Sequence, residues 1–125
     1  RAGQPDPEVV TMVEETSAEL GIARREISDE EVLKRCLYPL INEGARLLEH
    51  KIAIRPCDID IVYMNGYGFP EVTGGPMFWA DQQGLDKILA DIKKFGEEYG
   101  GEIWEPAPLL VKLVEEGKTF QSLQG

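Results

Sequence analysis

His50 is the only histidine in this 125-residue chain, so general-base chemistry has one ordinary candidate. An activated serine would sit in a Gly-x-Ser-x-Gly turn, and none occurs. A His-Glu-x-x-His metal helix needs two histidines. His50 stands where a long helix is expected to end, and a cation suits the carbonyl end of a helix. It reads as a capping or surface residue. The adjacent acids Glu14-Glu15, Glu97-Glu98 and Glu115-Glu116 point apart on a helix, whereas a catalytic carboxylate pair must converge across a cleft. They read as solvated faces. Cys36 and Cys57 sit among apolar neighbours and read as buried free thiols of a reducing compartment, not as a disulfide framework. Two cysteines, one histidine and no Cys-x-x-Cys do not make a zinc site.

Two short patterns look like ligand loops and fail in detail. Asp58-Ile-Asp60 resembles the start of a calcium loop. Such a loop needs glycine at its sixth position, where Tyr63 stands, and glutamate at its twelfth, where Phe69 stands. Helix capping is the better reading of these aspartates. Gly66-Tyr-Gly68 lacks the third small residue of a dinucleotide fingerprint, since position 71 is glutamate. It reads as turn geometry. No catalytic, cofactor-binding or metal-ligating residue is assigned. Tyr63, Tyr67, Phe69, Phe78 and Trp79 cluster around this turn. Core packing explains them, and so does an interface anchored by Tyr67, Phe69, Met77, Phe78 and Trp79, because aromatic anchors dominate such surfaces.

The stretch Gly66 to Asp81 organises the rest. It holds four of the thirteen glycines, and no charge interrupts Val72 to Ala80. It is expected to be a tight, buried turn that starts a helix at Pro76, a residue suited to the first helical position. Residues 1–6 read as a linker. Asp6-Pro7 is a helix start, with a helix predicted from Pro7 to Leu20, Val9, Val13, Thr16, Ser17 and Leu20 on one face and Gly21 as cap. Ser28-Asp-Glu-Glu31 is a capping box. Behind it Val32, Leu33, Cys36, Leu37, Leu40, Ile41 and Ala45 recur in steps of three and four, predicting a helix from Asp29 to Glu49 wide enough for two neighbours. Pro39 is expected to kink it, and Gly44-Ala45 to allow a close crossing.

Ile59 to Met64 fits a strand or a helical face. A lone strand has no ladder partner, so Pro56 to Asn65 is assigned to helix. Further helices are predicted from Pro76 to Gln82, from Gly84 to Tyr99 and from Ala107 to Glu116. Ile103-Trp104 is expected to pack as an anchor, and the chain to fray from Thr119. The sum is an all-α, single, antiparallel bundle-like domain over residues 7–125.

Composition is ordinary for a globular domain, with 42% hydrophobic and 29% charged residues. The formal charge is 13 − 23 = −10, which argues against nucleic acid or an anionic membrane as partner. No apolar run approaches a membrane span. The start at Arg1 without methionine reads as a piece of a longer protein, and the end Leu123-Gln-Gly is not a peroxisomal Ser-Lys-Leu signal.

Asp58-Ile-Asp-Ile-Val, Gly66-Tyr-Gly-Phe-Pro, Gly74-Gly-Pro-Met-Phe-Trp-Ala-Asp and Gly84-Leu together resemble the C-terminal helical region of 3-hydroxyacyl-CoA dehydrogenases. The nearest likeness is to the last repeat of bifunctional fatty-acid β-oxidation enzymes, and the fold implied is that of the C-terminal domains of 6-phosphogluconate and 3-hydroxyacyl-CoA dehydrogenases. Family members often carry a basic residue between Phe-Pro and Gly-Gly. Here the spacer is Glu71-Val72-Thr73, so no anion-contacting role is carried over. The resemblance implies a parent enzyme that oxidises a 3-hydroxyacyl-CoA to the ketone with NAD. That family's nicotinamide lies in a Rossmann domain, its catalytic His–Glu pair is associated with that domain, and an active-site asparagine comes from the first helical repeat. None of these maps onto this sequence. The implied role is a structural domain that braces the substrate domain, with the preceding helical repeat and the Rossmann domain as partners and self-association open to the isolated piece. A cytoplasmic, bacterial setting is expected, with a peroxisomal one open because the termini can be truncated. An independent acidic helical module that binds a partner helix or a basic protein is the other reading. A hydrolase lacks a nucleophile–base arrangement.

Overall fold

The computed structural model describes residues 3–123. Residues 1–2 of the expected linker and the last two residues of the chain lie outside it. Six α-helices form among the described residues, and no strand: α1 Pro7–Glu19, α2 Asp29–Glu49, α3 Pro56–Gly66, α4 Pro76–Gln83, α5 Leu85–Tyr99 and α6 Pro108–Glu115. Short 3-10 turns at Glu71–Thr73, Glu102–Trp104 and Phe120–Leu123 fill the connections. The ambiguous segment at 59–64 is helical.

The helix starts are chemical. Asp6 accepts from the Glu8 amide at 2.9 Å ahead of Pro7. Ser28 accepts from the Glu31 amide at 3.2 Å, but the return half of the capping box is not made. Glu31 instead turns its carboxylate to Arg25, a charge-assisted bond stronger than one to a backbone amide. Asp58 caps its own helix by accepting from the Arg55 amide at 3.0 Å. α2 runs through Pro39 as one helix.

The core is built from one stripe of each of five helices. Tyr38, Ile41 and Ala45 of α2 meet Ile59 of α3, Met77 and Ala80 of α4, Ile88 and Ile92 of α5, and Leu110 and Leu113 of α6. The α5 stripe Leu85, Ile88, Ile92, Phe95 repeats at three and four residues, as a buried helical face must. The close crossing expected at Gly44 is with α4: a Cβ there would stand 2.5 Å from Met77 Sδ.

Four expectations change. Cys36 is exposed, on a face of α2 turned from the core, and Cys57 is half-buried in the first turn of α3. The chain does not fray at Thr119: Phe120 has no exposed surface, and Asp81 accepts from the Phe120 and Gln121 amides at 2.8 and 2.9 Å. Trp104 is an anchor packed on Phe95, with ring centroids 5.0 Å apart, but Ile103 faces solvent. Only the second half of the 66–81 turn is buried: Tyr67 and Val72 lie outside, while Gly75, Pro76 and Met77 are enclosed.

Candidate interface

The sequence singled out Tyr67, Phe69, Met77, Phe78 and Trp79, and the fold separates them. Met77 is wholly in the core. Trp79 is half-buried and tilted against Tyr38, with centroids 6.5 Å apart. Phe69 packs edge-on to Tyr63 at 6.4 Å and Tyr67 tilts against it at 5.2 Å, leaving Tyr67 76% exposed. Phe78 is 41% exposed. Tyr67 and Phe78 are thus the outward aromatics of the region, and Trp79 and Phe69 lie half-beneath the surface.

A buried carboxylate holds this surface in shape. Asp60 lies in the middle of α3 and accepts from the Met77 amide at 2.7 Å and the Phe78 amide at 3.2 Å. It therefore caps α4, whose own N-cap residue is Gly75 and has no side chain to offer. Gly75 has φ +92°, and a Cβ on it would fall 2.4 Å from that of Asp60. The glycine is what lets the carboxylate reach the helix start. Burial pushes the Asp60 carboxyl above its ordinary range. The two amides oppose that shift, and the nearby Asp81 carboxylate adds to it.

The larger uncovered surface lies elsewhere. No residue of α1 is buried, and none of residues 3–37 reaches the core interior. Val9, Met12, Val13, Leu20 and Ile22 are all exposed, and with Thr16 and Ser17 they line an open groove of about 350 Å³. The sequence located five of these groove positions, Val9, Val13, Thr16, Ser17 and Leu20, on one face of an expected bundle helix. Met12 and Ile22 were missed. The available signal was the polar run Arg24-Arg25-Glu26 that follows, too charged to return α1 to a core.

One cluster ties this arm to the body. The Arg25 guanidinium donates to Glu31 at 2.9 Å and to the Tyr99 hydroxyl at 2.6 Å, and stands 3.6 Å from Glu98. Tyr99 donates to Glu98 at 2.7 Å, and Arg35 lies 4.1 Å above its ring. Arg25 holds the Glu31 carboxyl below its ordinary range, chiefly through the hydrogen bond. Among the described residues, Arg25 is the one side chain of 3–27 that bonds to a residue beyond 27.

Residues 32–123 match the family model described as 3-hydroxyacyl-CoA dehydrogenase, C-terminal domain. The chain belongs to that family. The match opens inside α2, so the uncovered arm precedes the family's common region. Similar proteins do span it. The peroxisomal bifunctional enzyme of Homo sapiens is 40% identical over 131 residues, covering 100% of this chain and 18% of that protein. The Danio rerio peroxisomal bifunctional enzyme is 44% identical over 115 residues, 91% of this chain and 16% of that protein. The fatty acid oxidation complex subunit alpha of Idiomarina loihiensis is 41% identical over 93 residues, 74% of this chain and 13% of that protein. The chain spans less than a fifth of the length of these relatives.

The glycines at 66 and 68 form no dinucleotide cradle. Gly66 ends α3, Gly68 is in an exposed turn, and Glu71 follows in a 3-10 turn, so no strand-to-helix array of amides faces a pyrophosphate. These residues do not fit NAD. His50 is the C-cap of α2, its amide donating to the Arg46 carbonyl at 2.9 Å, and it faces solvent. Among the described residues no group of three metal-ligating side chains converges, and no helix is long and apolar enough to cross a membrane.

Proposed function

We propose that this domain is the non-catalytic C-terminal brace of an NAD-dependent 3-hydroxyacyl-CoA dehydrogenase of fatty-acid β-oxidation, in a chain that also carries enoyl-CoA hydratase activity. The observation that carries this reading is the apolar arm. A helix whose exposed face holds Val9, Met12, Val13 and Leu20 is too short to persist strongly alone and gains most by docking. The preceding helical repeat and the Rossmann domain of the parent chain are the neighbours proposed for it. Tyr67 and Phe78 are proposed as a second contact, with Phe69 and Trp79 as its floor. Met77 supports it from the core. The chemistry, oxidation of the 3-hydroxyl with hydride passing to NAD, belongs to the rest of the parent.

The names of the human and zebrafish relatives support a peroxisomal setting, and the Idiomarina relative supports a bacterial one. The bracing role proposed is the same in each. The test uses the 125-residue chain and a relative's enzyme lacking the matching segment. The chain alone is expected to give no NADH from 3-hydroxyacyl-CoA, and to raise the activity of the shortened enzyme when added to it. Micromolar NAD binding by the chain alone overturns the reading. So does a folded, shortened enzyme that is indifferent to the chain.

A further inference from the structure

We propose that the groove on α1 takes an amphipathic helix whose apolar face is flanked by lysine or arginine. This rests on the docking role above and specifies the partner's chemistry. At 100° per residue, Val9, Met12, Val13, Thr16 and Leu20 form one stripe of α1, and Glu8, Glu15 and Glu19 recur at i, i+7 and i+11 along one flank of it. None of the three is in an ion pair among the described residues. Glu14, on the back of the helix from the stripe, is matched by Arg24 at 3.6 Å. α1 holds no basic residue at all. Charges flanking an apolar helical seam select the partner and its orientation, as e and g positions do in a coiled coil. A row of three unmatched glutamates therefore selects a basic flank.

The same row disfavours a second copy of this chain. Antiparallel pairing of two α1 helices sets the glutamates against one another, on molecules that each carry a formal charge of −10. The groove is thus apolar enough to bind and charged so as not to bind itself. Arg25 is spent on Glu31 and Tyr99 and does not neutralise the row.

The probes are two fluorescent helical peptides of about 18 residues, long enough for a marginal helix, with the same leucine face. One carries lysines on its flanks and the other glutamates. Anisotropy with the 125-residue chain at low salt is expected to show the lysine peptide binding about tenfold tighter or more, with the gap shrinking in high salt. Val13→Asp is expected to abolish binding although it makes the chain more acidic. Glu8→Lys/Glu15→Lys/Glu19→Lys is expected to reverse the preference. None of these residues is buried, so the body keeps its fold, and circular dichroism checks it.

Equal binding of both peptides, binding of neither, undiminished binding by Val13→Asp, or a wild-type dimer in light scattering each overturns the proposal. The bracing role fails separately. If charge selectivity is absent but Val13→Asp still blocks rescue of the shortened dehydrogenase, the arm docks and only its charge code is wrong. If Val13→Asp rescues like the wild type, the arm is not the docking element.

Discussion

Asn42 is invisible in the sequence as anything but a polar interruption between Ile41 and Ala45. In the fold it has no exposed surface. Its Nδ2 donates to the carbonyls of Ile103 and Glu105 at 3.2 and 2.7 Å, and its Oδ1 accepts from the Ala107 amide at 2.8 Å. It pins the connection between α5 and α6 to α2. Asn42→Ala leaves the buried Ala107 amide without a partner, while the Glu105 carbonyl keeps its bond from Arg46, and is expected to cost about 1–3 kcal/mol in urea unfolding. A loss under about 0.5 kcal/mol, the scale of an ordinary surface change, would mean the connection re-bonds by itself. Asp60 is a milder case. Its capping role was legible, but the first amide it bonds in the helix it caps lies seventeen residues further on, and pattern reading has no access to such a pair.

The two ends of the chain reverse their expected roles at the scale of elements. α1 has a well-made N-terminus, Asp6 and Pro7, and a sound apolar stripe, yet it shields nothing. The last turn, expected to fray, seats Phe120 in the core under the carboxylate of Asp81. Two truncations separate these roles. Removing residues before Ser28 takes away no buried residue, only the exposed Arg25 pairing, and is expected to lower the midpoint of thermal unfolding by a few degrees at most. Removing residues after Gly117 empties the Phe120 site and is expected to cost about 3–5 kcal/mol. Calorimetry of both reads the difference directly. An equal fall for the two would show that α1 packs on the body in solution.

For the molecule as a whole, acid behaviour combines two opposite trends. Burial raises the Asp60 and Asp81 carboxyls, so the folded state holds protons that the unfolded state has released. Their contribution to stability is present below the ordinary carboxylate range and is lost as pH rises through their folded values. Glu31, Asp58 and Glu116 are lowered, chiefly by hydrogen bonds from Arg25, Arg55 and Lys118. Their contribution is present above the ordinary range and is lost as pH falls. From about pH 3 to about pH 6 the stability of the wild type relative to Asp60→Asn is expected to decline, and relative to Glu31→Gln to grow. Urea midpoints across that range measure both. A growing margin over Asp60→Asn would show that the Met77 and Phe78 amides outweigh burial. The set of helices follows from local sequence: propensity, proline placement and capping act within a few residues, so α2, α3, α4, α5 and α6 lie within a residue or two of their expected ends. The family was legible for the same reason, carried by a contiguous run of glycines, prolines and aromatics at 66–81. Which apolar stripes meet is a matter of long-range packing. The stripes of α1 and α5 look alike in sequence, but one is buried and the other left bare. Phe120 is covered by a carboxylate that caps its backbone from 39 residues away, and Cys36 lies beyond the reach of the core. Burial depends on residues distant in the chain, and their meeting is a property of packing rather than of local pattern.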